Sequence, residues 1–241
     1  RAELIASELN NTIVITGALS LIGKELINIL LTQKYKIIAV DLDGQLKRYK
    51  KFINSFKNQN ISFINCDIRS KKFIKITKNA NSIIHLAAML GVQNTEKNKN
   101  KCWKINSVAT KNILEACKCN NINHLIFTSS SEVYGEQVSN SIDENHPLLG
   151  KNIYALSKIS SENQIKAFQK KNKKFNYCNL RLFNTYGVGQ VAKFFISKSC
   201  YRAKNNKKII INGSGDQLRG YCYASDTAKY IYLCLKNKKK I

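Results

Sequence analysis

Thr16-Gly17-Ala18-Leu19-Ser20-Leu21-Ile22-Gly23 is the stretch on which the reading of this chain turns. It follows a β-branched apolar run, Thr12 to Thr16, and opens a run of helical periodicity from Leu21 to about Leu31, so it reads as a strand-to-helix turn. Gly17 permits the tight turn and Gly23 the close approach of helix to strand, while free amides at the helix start can receive a pyrophosphate. Alone this is a weak signal, because many glycine turns in α/β proteins bind nothing. Asp41 strengthens it, standing at the end of a second strand (Lys36 to Val40) near the spacing of a ribose-binding carboxylate. A carboxylate there repels a 2′-phosphate, which favours NAD over NADP; Asp43 is a lower-ranked rival. The apolar run from Ile13 to Leu31 resembles a membrane span, but Lys24, Glu25 and the two glycines interrupt it, and a buried strand, turn and helix fit better.

Outward from the turn, β-branched runs alternate with helical ones. Strands are expected over Ile61 to Asn65, Ser82 to Leu86, His124 to Thr128, Asn176 to Leu182 and Lys208 to Ile211, and a last helix from Tyr230 to Ile241. Such alternation favours a parallel sheet covered on both faces. With 241 residues, 44% of them hydrophobic and 23% charged, the chain can build one sizeable core and a small appended lobe. No boundary shows before about Thr185, giving a division into residues 1–184 and 185–241. Arg1 at the start and Met89 as the only methionine read as a fragment or a processed form.

A formal net charge of +25 raises nucleic acid as a partner. Yet the lysines recur in short runs, around Lys50, Lys71, Lys99, Lys173, Lys207 and Lys239, beside asparagines at expected helix ends and loops, which reads as a solvated surface. A nucleic-acid-binding role therefore ranks second, and the positive field serves better to draw in an anionic substrate. The eight cysteines show no Cys-x-x-Cys spacing and read as reduced, mostly core thiols of a cytosolic protein. His85, His124 and His146 are far apart and read as structural, so no metal is expected.

Tyr154 and Lys158 lie four residues apart in Tyr-Ala-Leu-Ser-Lys, on one helix face, so the ammonium can favour the phenolate. A free phenol titrates near pH ~10, and such a base at neutral pH needs a neighbouring cation and a bound cationic ring. That pairing, downstream of a nucleotide turn, points to redox chemistry.

With these pieces the chain resembles, over nearly its whole length, the extended short-chain dehydrogenase/reductase family, in its branch of nucleotide-sugar epimerases, dehydratases and decarboxylases. The resemblance rests on Thr16, Gly17 and Gly23, with Ser20 where the family has its middle glycine; on His85-Leu86-Ala87-Ala88; on Asn106; on Thr128 to Gly135 (Thr-Ser-Ser-Ser-Glu-Val-Tyr-Gly); and on Arg181 to Gly187 (Arg-Leu-Phe-Asn-Thr-Tyr-Gly). It implies a Rossmann-like doubly wound α/β fold, a small and incomplete substrate lobe with a helix within Gly189 to Lys204, bound NAD, a nucleotide-diphosphate sugar substrate and a homodimer formed through the helices around Asn106 and Tyr154. It places Ser130, Tyr154 and Lys158 as catalytic residues, with Glu132 as a further acid or base or as a structural carboxylate. Cofactor contacts would fall on Gly17, Ser20, Leu21, Ile22, Gly23 and Asp41. Others would be Asp67, Ile68, Leu86, Ala87, Ala88, Asn106, Tyr154, Lys158 and Phe183. Asn184 and Arg219, with Ser130, would meet the substrate. Ser131-Glu132 in place of the dehydratases' Asp-Glu weakens that reaction and leaves epimerase ahead of uronate decarboxylase.

Overall fold

The computed structural model describes residues 11–138, 141–211 and 213–237. Strands β1 (Thr12–Thr16), β2 (Lys36–Asp41), β3 (Ile61–Asn65), β4 (Ser82–His85), β5 (His124–Ser130) and β6 (Asn176–Leu182) form one sheet in the order β3-β2-β1-β4-β5-β6. Every pairing in it is parallel. The helices are α1 (Leu21–Thr32), α2 (Asp43–Arg48), α3 (Lys50–Asn54), α4 (Lys72–Ile76), α5 (Val92–Lys97), α6 (Lys99–Trp103), α7 (Ala109–Cys119), α8 (Ile153–Lys171), α9 (Phe195–Lys204) and α10 (Ala224–Lys236). A π-helical turn over Lys104–Val108 joins α6 to α7.

Alternation along β1 explains the layers. Ile13 and Ile15 point into a cluster with Leu26, Ile27 and Leu30 of α1 and Ala228, Ile231 and Leu235 of α10. Val14 points into the opposite cluster, with Phe73 of α4, Ile113 and Leu114 of α7 and Ile165 of α8. All five β1 residues are buried, as a central strand covered on both faces requires. Burial of each Leu or Ile contributes about 1.5–3 kcal/mol, so the two clusters hold the helices to the sheet. The result is the expected Rossmann-like doubly wound sheet. From β1 the chain runs outward to β2 and β3, then crosses to β4 on the other side of β1. The order reverses between β1 and β4, and the crevice beyond their carboxyl ends is where such sheets take ligands.

Several expectations need correcting. Residues 208–211 are not a strand: Ile209, Ile210 and Ile211 are exposed, and no neighbouring strand offers them a ladder among the described residues. A two-stranded parallel sheet forms instead from β7 (Asn184–Tyr186) and β8 (Tyr221–Tyr223). The last helix starts at Ala224 rather than Tyr230, because Ala224, Ala228, Ile231 and Leu235 form its buried stripe; residues 238–241, with Lys239, lie outside the described residues, as do residues 1–10. Within Gly189 to Lys204 only Phe195–Lys204 is helical. The cysteines are not mostly core: Cys66, Cys102 and Cys117 are buried, and the other five free thiols are half-buried or exposed.

Candidate active site

The turn from Thr16 to Gly23 lies at the carboxyl end of β1. Gly17 sits at φ +67°, and a Cβ there would lie 2.8 Å from the Ala87 nitrogen and 2.9 Å from its Cα. Only glycine therefore lets the turn lie against the exit of β4. A Cβ on Gly23 would come within 2.5 Å of the Ala18 carbonyl oxygen, so this glycine sets how closely α1 approaches the strand end. Thr16 stitches the two strand exits together. Its carbonyl accepts from the Leu86 amide at 3.0 Å, and its Oγ1 accepts from the Ala87 amide at 3.3 Å and bonds His85 Nδ1 at 2.7 Å.

Ser20 has an extended backbone, φ −66° and ψ 172°, that needs no glycine. Its Oγ caps α1, accepting from the Gly23 amide at 3.1 Å. Asp41 reaches the turn: Oδ2 accepts from the Leu19 amide at 2.9 Å and Oδ1 from Leu42 at 2.8 Å. Burial pushes its carboxyl up, opposed by those two amides. Asp43 is turned to the surface in an ion pair with Lys47 at 2.6 Å, so of the two aspartates Asp41 faces the glycine turn. Asp67 is engaged by Arg69, whose Nε lies 2.9 and 3.1 Å from its two oxygens, holding its carboxyl below the usual range; the adjacent Ile68 is buried. Asn106 is buried in the π turn, its amide spent on Met89 (2.8 and 3.1 Å) and on Ser157 Oγ (3.2 Å). It pins the chain leaving β4 to α8.

Across the crevice, Ser130 ends β5 and its Oγ accepts from the Glu132 amide at 3.2 Å. Three interactions set the start of α8 beside it. Asn152 Oδ1 accepts from the Ala155 amide at 2.8 Å, Asn152 Nδ2 donates to Glu132 Oε2 at 3.0 Å, and Glu96 Oε1 accepts from the Ile153 amide at 2.8 Å. Lys158, one turn along, is buried, donates to the Thr128 carbonyl at 2.8 Å and stands 4.7 Å from the Phe127 ring centre and 5.9 Å from that of Tyr154. Burial draws its ammonium down to about 8, against the pull of Cys102 and Glu162. Burial likewise pushes the Tyr154 phenol up to about 12, while the Ser130 hydroxyl beside it pulls the other way. At neutral pH the protein alone thus holds a neutral phenol next to a largely charged lysine. Buried His85 is pulled down to about 3 by desolvation and by Lys158, so it stays neutral.

At the third edge, β7 brings Asn184 to the Arg219–Gly220 turn, its Nδ2 donating to the Gly220 carbonyl at 3.2 Å. The Phe183 ring packs 3.4 Å from where a Gly220 Cβ would stand, and Arg219 itself is exposed. Glu132 is exposed and directed to Asn152. Among the described residues no group of His, Cys, Asp and Glu could hold a metal ion. No helix among them is long and apolar enough to cross a membrane. Sequence reasoning missed Thr16 as a stitch and the pair Asn152 and Glu96 at the head of α8. Asn152 before Ile-Tyr-Ala carried a readable capping signal, whereas Glu96 carried none.

Comparison with known proteins bears on this arrangement. Residues 13–241 match the sequence model of the NAD dependent epimerase/dehydratase family. A Methanocaldococcus jannaschii protein provisionally named UDP-glucose 4-epimerase is 34% identical over 239 residues, covering 95% of this chain and 75% of that one. The trifunctional UDP-glucose 4,6-dehydratase/UDP-4-keto-6-deoxy-D-glucose 3,5-epimerase/UDP-4-keto-L-rhamnose-reductase of Arabidopsis thaliana is 32% identical over 226 residues, covering 90% of this chain but 34% of its own length, so the chain spans about a third of that relative. Among solved structures, UDP-glucuronic acid 4-epimerase from Bacillus cereus, in complex with UDP-glucuronic acid and NAD, superposes with a TM-score of 0.86 at 27% identity, over 95% of this chain and 74% of that one.

Proposed function

Because the chain belongs to the NAD dependent epimerase/dehydratase family, we propose that it epimerises a nucleotide sugar through a transient 4-keto intermediate, with NAD as its resident cofactor. The observation that carries the reading is the grouping of Ser130, Tyr154 and Lys158 at the carboxyl end of β5, across from the glycine turn. The turn suits a dinucleotide. Gly17 lets the turn lie directly against the exit of β4, Ser20, Leu21, Ile22 and Gly23 form the start of α1, and Asp41 presents a carboxylate for ribose hydroxyls. Asp67 and Ile68 would border the adenine, and Leu86, Ala87, Ala88, Asn106 and Phe183 the nicotinamide half. When bound, NAD supplies a two-electron acceptor that is regenerated within each turnover, so no net redox change results.

The chain's own residues then handle the proton. Tyr154 takes it from the sugar hydroxyl and later returns it to the same oxygen, once the keto sugar presents its other face. Ser130 donates to that oxygen and fixes the reacting geometry. Lys158, anchored on the Thr128 carbonyl, stabilises the phenolate. Asn184 and Arg219 hold the diphosphate, for which a guanidinium fork is suited. Glu132, bonded to Asn152, positions the head of α8 rather than acting as a further acid or base. Half-exposed Trp103 and Leu156, on α6 and α8, offer the apolar face through which two copies would pair; size-exclusion of a Leu156→Lys variant tests that.

Incubation with NAD⁺ and a panel of nucleotide sugars, assayed for epimer, stable keto product and CO₂, tests the function. Epimer supports the reading, keto product or CO₂ moves it to dehydratase or decarboxylase, and full turnover by Tyr154→Phe overturns the mechanism.

A further inference from the structure

Lysine runs that stand far apart in the sequence meet in the fold. Two asparagines of α7 clamp α4 alongside it. Asn112 Nδ2 donates to the Ile68 and Ser70 carbonyls, and Asn120 Nδ2 donates to the Ile74 carbonyl at 2.8 Å and to Thr77 Oγ1 at 2.9 Å. Phe73 of α4 and Ile113, Leu114 and Cys117 of α7 share the core beneath. Two rows of cations are thereby fixed side by side. Lys71, Lys72, Lys75 and Lys78 are exposed in and beside α4, and Lys104, Lys111 and Lys118 are exposed along the π turn and α7. Members of the second row are seven residues apart, roughly 10 Å at helical rise, so the row runs about 20 Å. A groove of about 570 Å³ lies at its upper end, floored by Val108 and Ala109 and walled by Arg69, Lys104, Lys111 and Asn112, with Glu115 at its edge. We propose that this face binds single-stranded nucleic acid through its phosphates, without regard to base sequence. The site does not rest on the sugar-nucleotide reading.

The charge balance carries the proposal. Residues 67–78 and 104–118 hold eight cations against two carboxylates, Asp67 and Glu115. Asp67 is taken by Arg69, and Glu115 accepts from the Cys119 thiol at 3.4 Å. Among the described residues no lysine of either row is in an ion pair. On the other face of the sheet, α1 and α10 hold three cations and two carboxylates, and Lys229 is paired with Asp226 at 3.1 Å. Residues 43–57 are basic too, but Lys47 is paired with Asp43 and Arg48 lies over the Tyr49 ring, 5.5 Å from its centre. They supply the control rather than the site.

Cations held in rows repel one another. A polyanion lying along them relieves that repulsion and releases its own counterions. A nucleic-acid strand suits the shape, because its flexible backbone can follow a groove and its bases can lie on the apolar floor. An anionic membrane would call for side chains that insert, and the groove exposes a single large apolar one, Val108. The face lies on the α4 side of α7, away from the Trp103 and Leu156 face on the α8 side.

Anisotropy of a labelled oligo-uridylate of about 20 nucleotides, titrated with the full chain at several salt concentrations, tests the site; a Kd of about 1–100 μM near 0.1 M salt is expected. Each phosphate contact on a single strand adds about 0.7 to the slope of log K against log salt. Lys71→Gln, Lys75→Gln, Lys104→Gln and Lys111→Gln combined should therefore flatten that slope by about 3 and weaken binding about tenfold or more. Lys72, whose ammonium donates to the Asn65 carbonyl at 3.1 Å, is left intact. Arginine at the same four positions should preserve binding, which separates lost charge from lost fold. Glutamine at Lys36, Lys50, Lys51 and Lys57, equally exposed, should change the slope by less than about 1. Equal losses from the two glutamine sets, or no saturable binding near 0.1 M salt, would overturn the proposal. So would tighter binding to phosphatidylserine-containing vesicles that the first set abolishes, since the face would then belong to a membrane.

Discussion

Replacing Gly17 by alanine isolates the geometry that shapes the nucleotide turn. The backbone is in the left-handed region at φ +67°, where an L-residue costs about 1–2 kcal/mol. The new Cβ would also press on the Ala87 nitrogen and Cα at 2.8 and 2.9 Å, backbone atoms that cannot swing aside. Overpacking of this kind adds about 1–3 kcal/mol. Together the loss is about 2–5 kcal/mol, a fall in Tm of roughly 5–15 °C for a chain of this size. Thermal unfolding followed by circular dichroism measures it, with NADH binding by fluorescence as a second readout that should weaken as Ala87 is displaced. Gly44→Ala is the internal control: nothing lies within 4 Å of its Cβ position and its φ is not positive, so no loss is expected. A Gly17→Ala variant melting within about 2 °C of the parent would refute the reasoning.

Three further outcomes follow from the same structure. Ser20→Ala removes the cap on the Gly23 amide and should cost about 1 kcal/mol in urea unfolding, whereas Ser20→Gly should cost only a few tenths. Glu162 and Arg181 form a 2.9 Å pair on the inner side of α8, so Glu162→Gln, which strands a half-buried guanidinium, should cost about 3 kcal/mol by the same assay. His85 is neutral in the fold down to about pH 3 but gains a proton near pH 6.5 when unfolded, so the unfolded state binds more protons between these values. Its contribution should therefore be lost as pH falls from about 6.5 towards 3, at about 1.4 kcal/mol per unit, and a His85→Gln variant should show a correspondingly flatter slope.

What could be read from the residues, and what could not, follows from the range of the interactions. β1 and β3 match their expected bounds because β-branched runs between turn residues are local signals, and β6 because Cys178, Leu180 and Leu182 alternate with Asn179 and Arg181. The run Ile209 to Ile211 carries the same local signal, yet a strand also needs a partner, and here none is bonded to it among the described residues. β7 and β8 are each three residues long, too short for any period to show. The π turn holding Asn106 is likewise set by packing, not by pattern. At the candidate site, the Asp41 contact with the turn was foreshadowed by its spacing from the glycines. The contacts of Glu132 with Asn152 and of Glu96 with Ile153 span 20 and 57 residues, and only the folded chain brings them together. The tuning of Tyr154 was half visible. Lys158 lies one turn away as its spacing implies, but burial, helped by Glu132 and Cys102, outweighs the Ser130 hydroxyl and leaves the phenol high until another cation arrives.

That last point is open to direct measurement, by ultraviolet difference titration of the wild-type phenols against a Tyr154→Phe variant, with and without NAD⁺. Without the dinucleotide the extra phenol should titrate near 12. With NAD⁺ bound it should fall by several units, to where Tyr154 can serve as a base near neutrality. A Tyr154 phenol that stays near 12 with NAD⁺ bound would contradict the account.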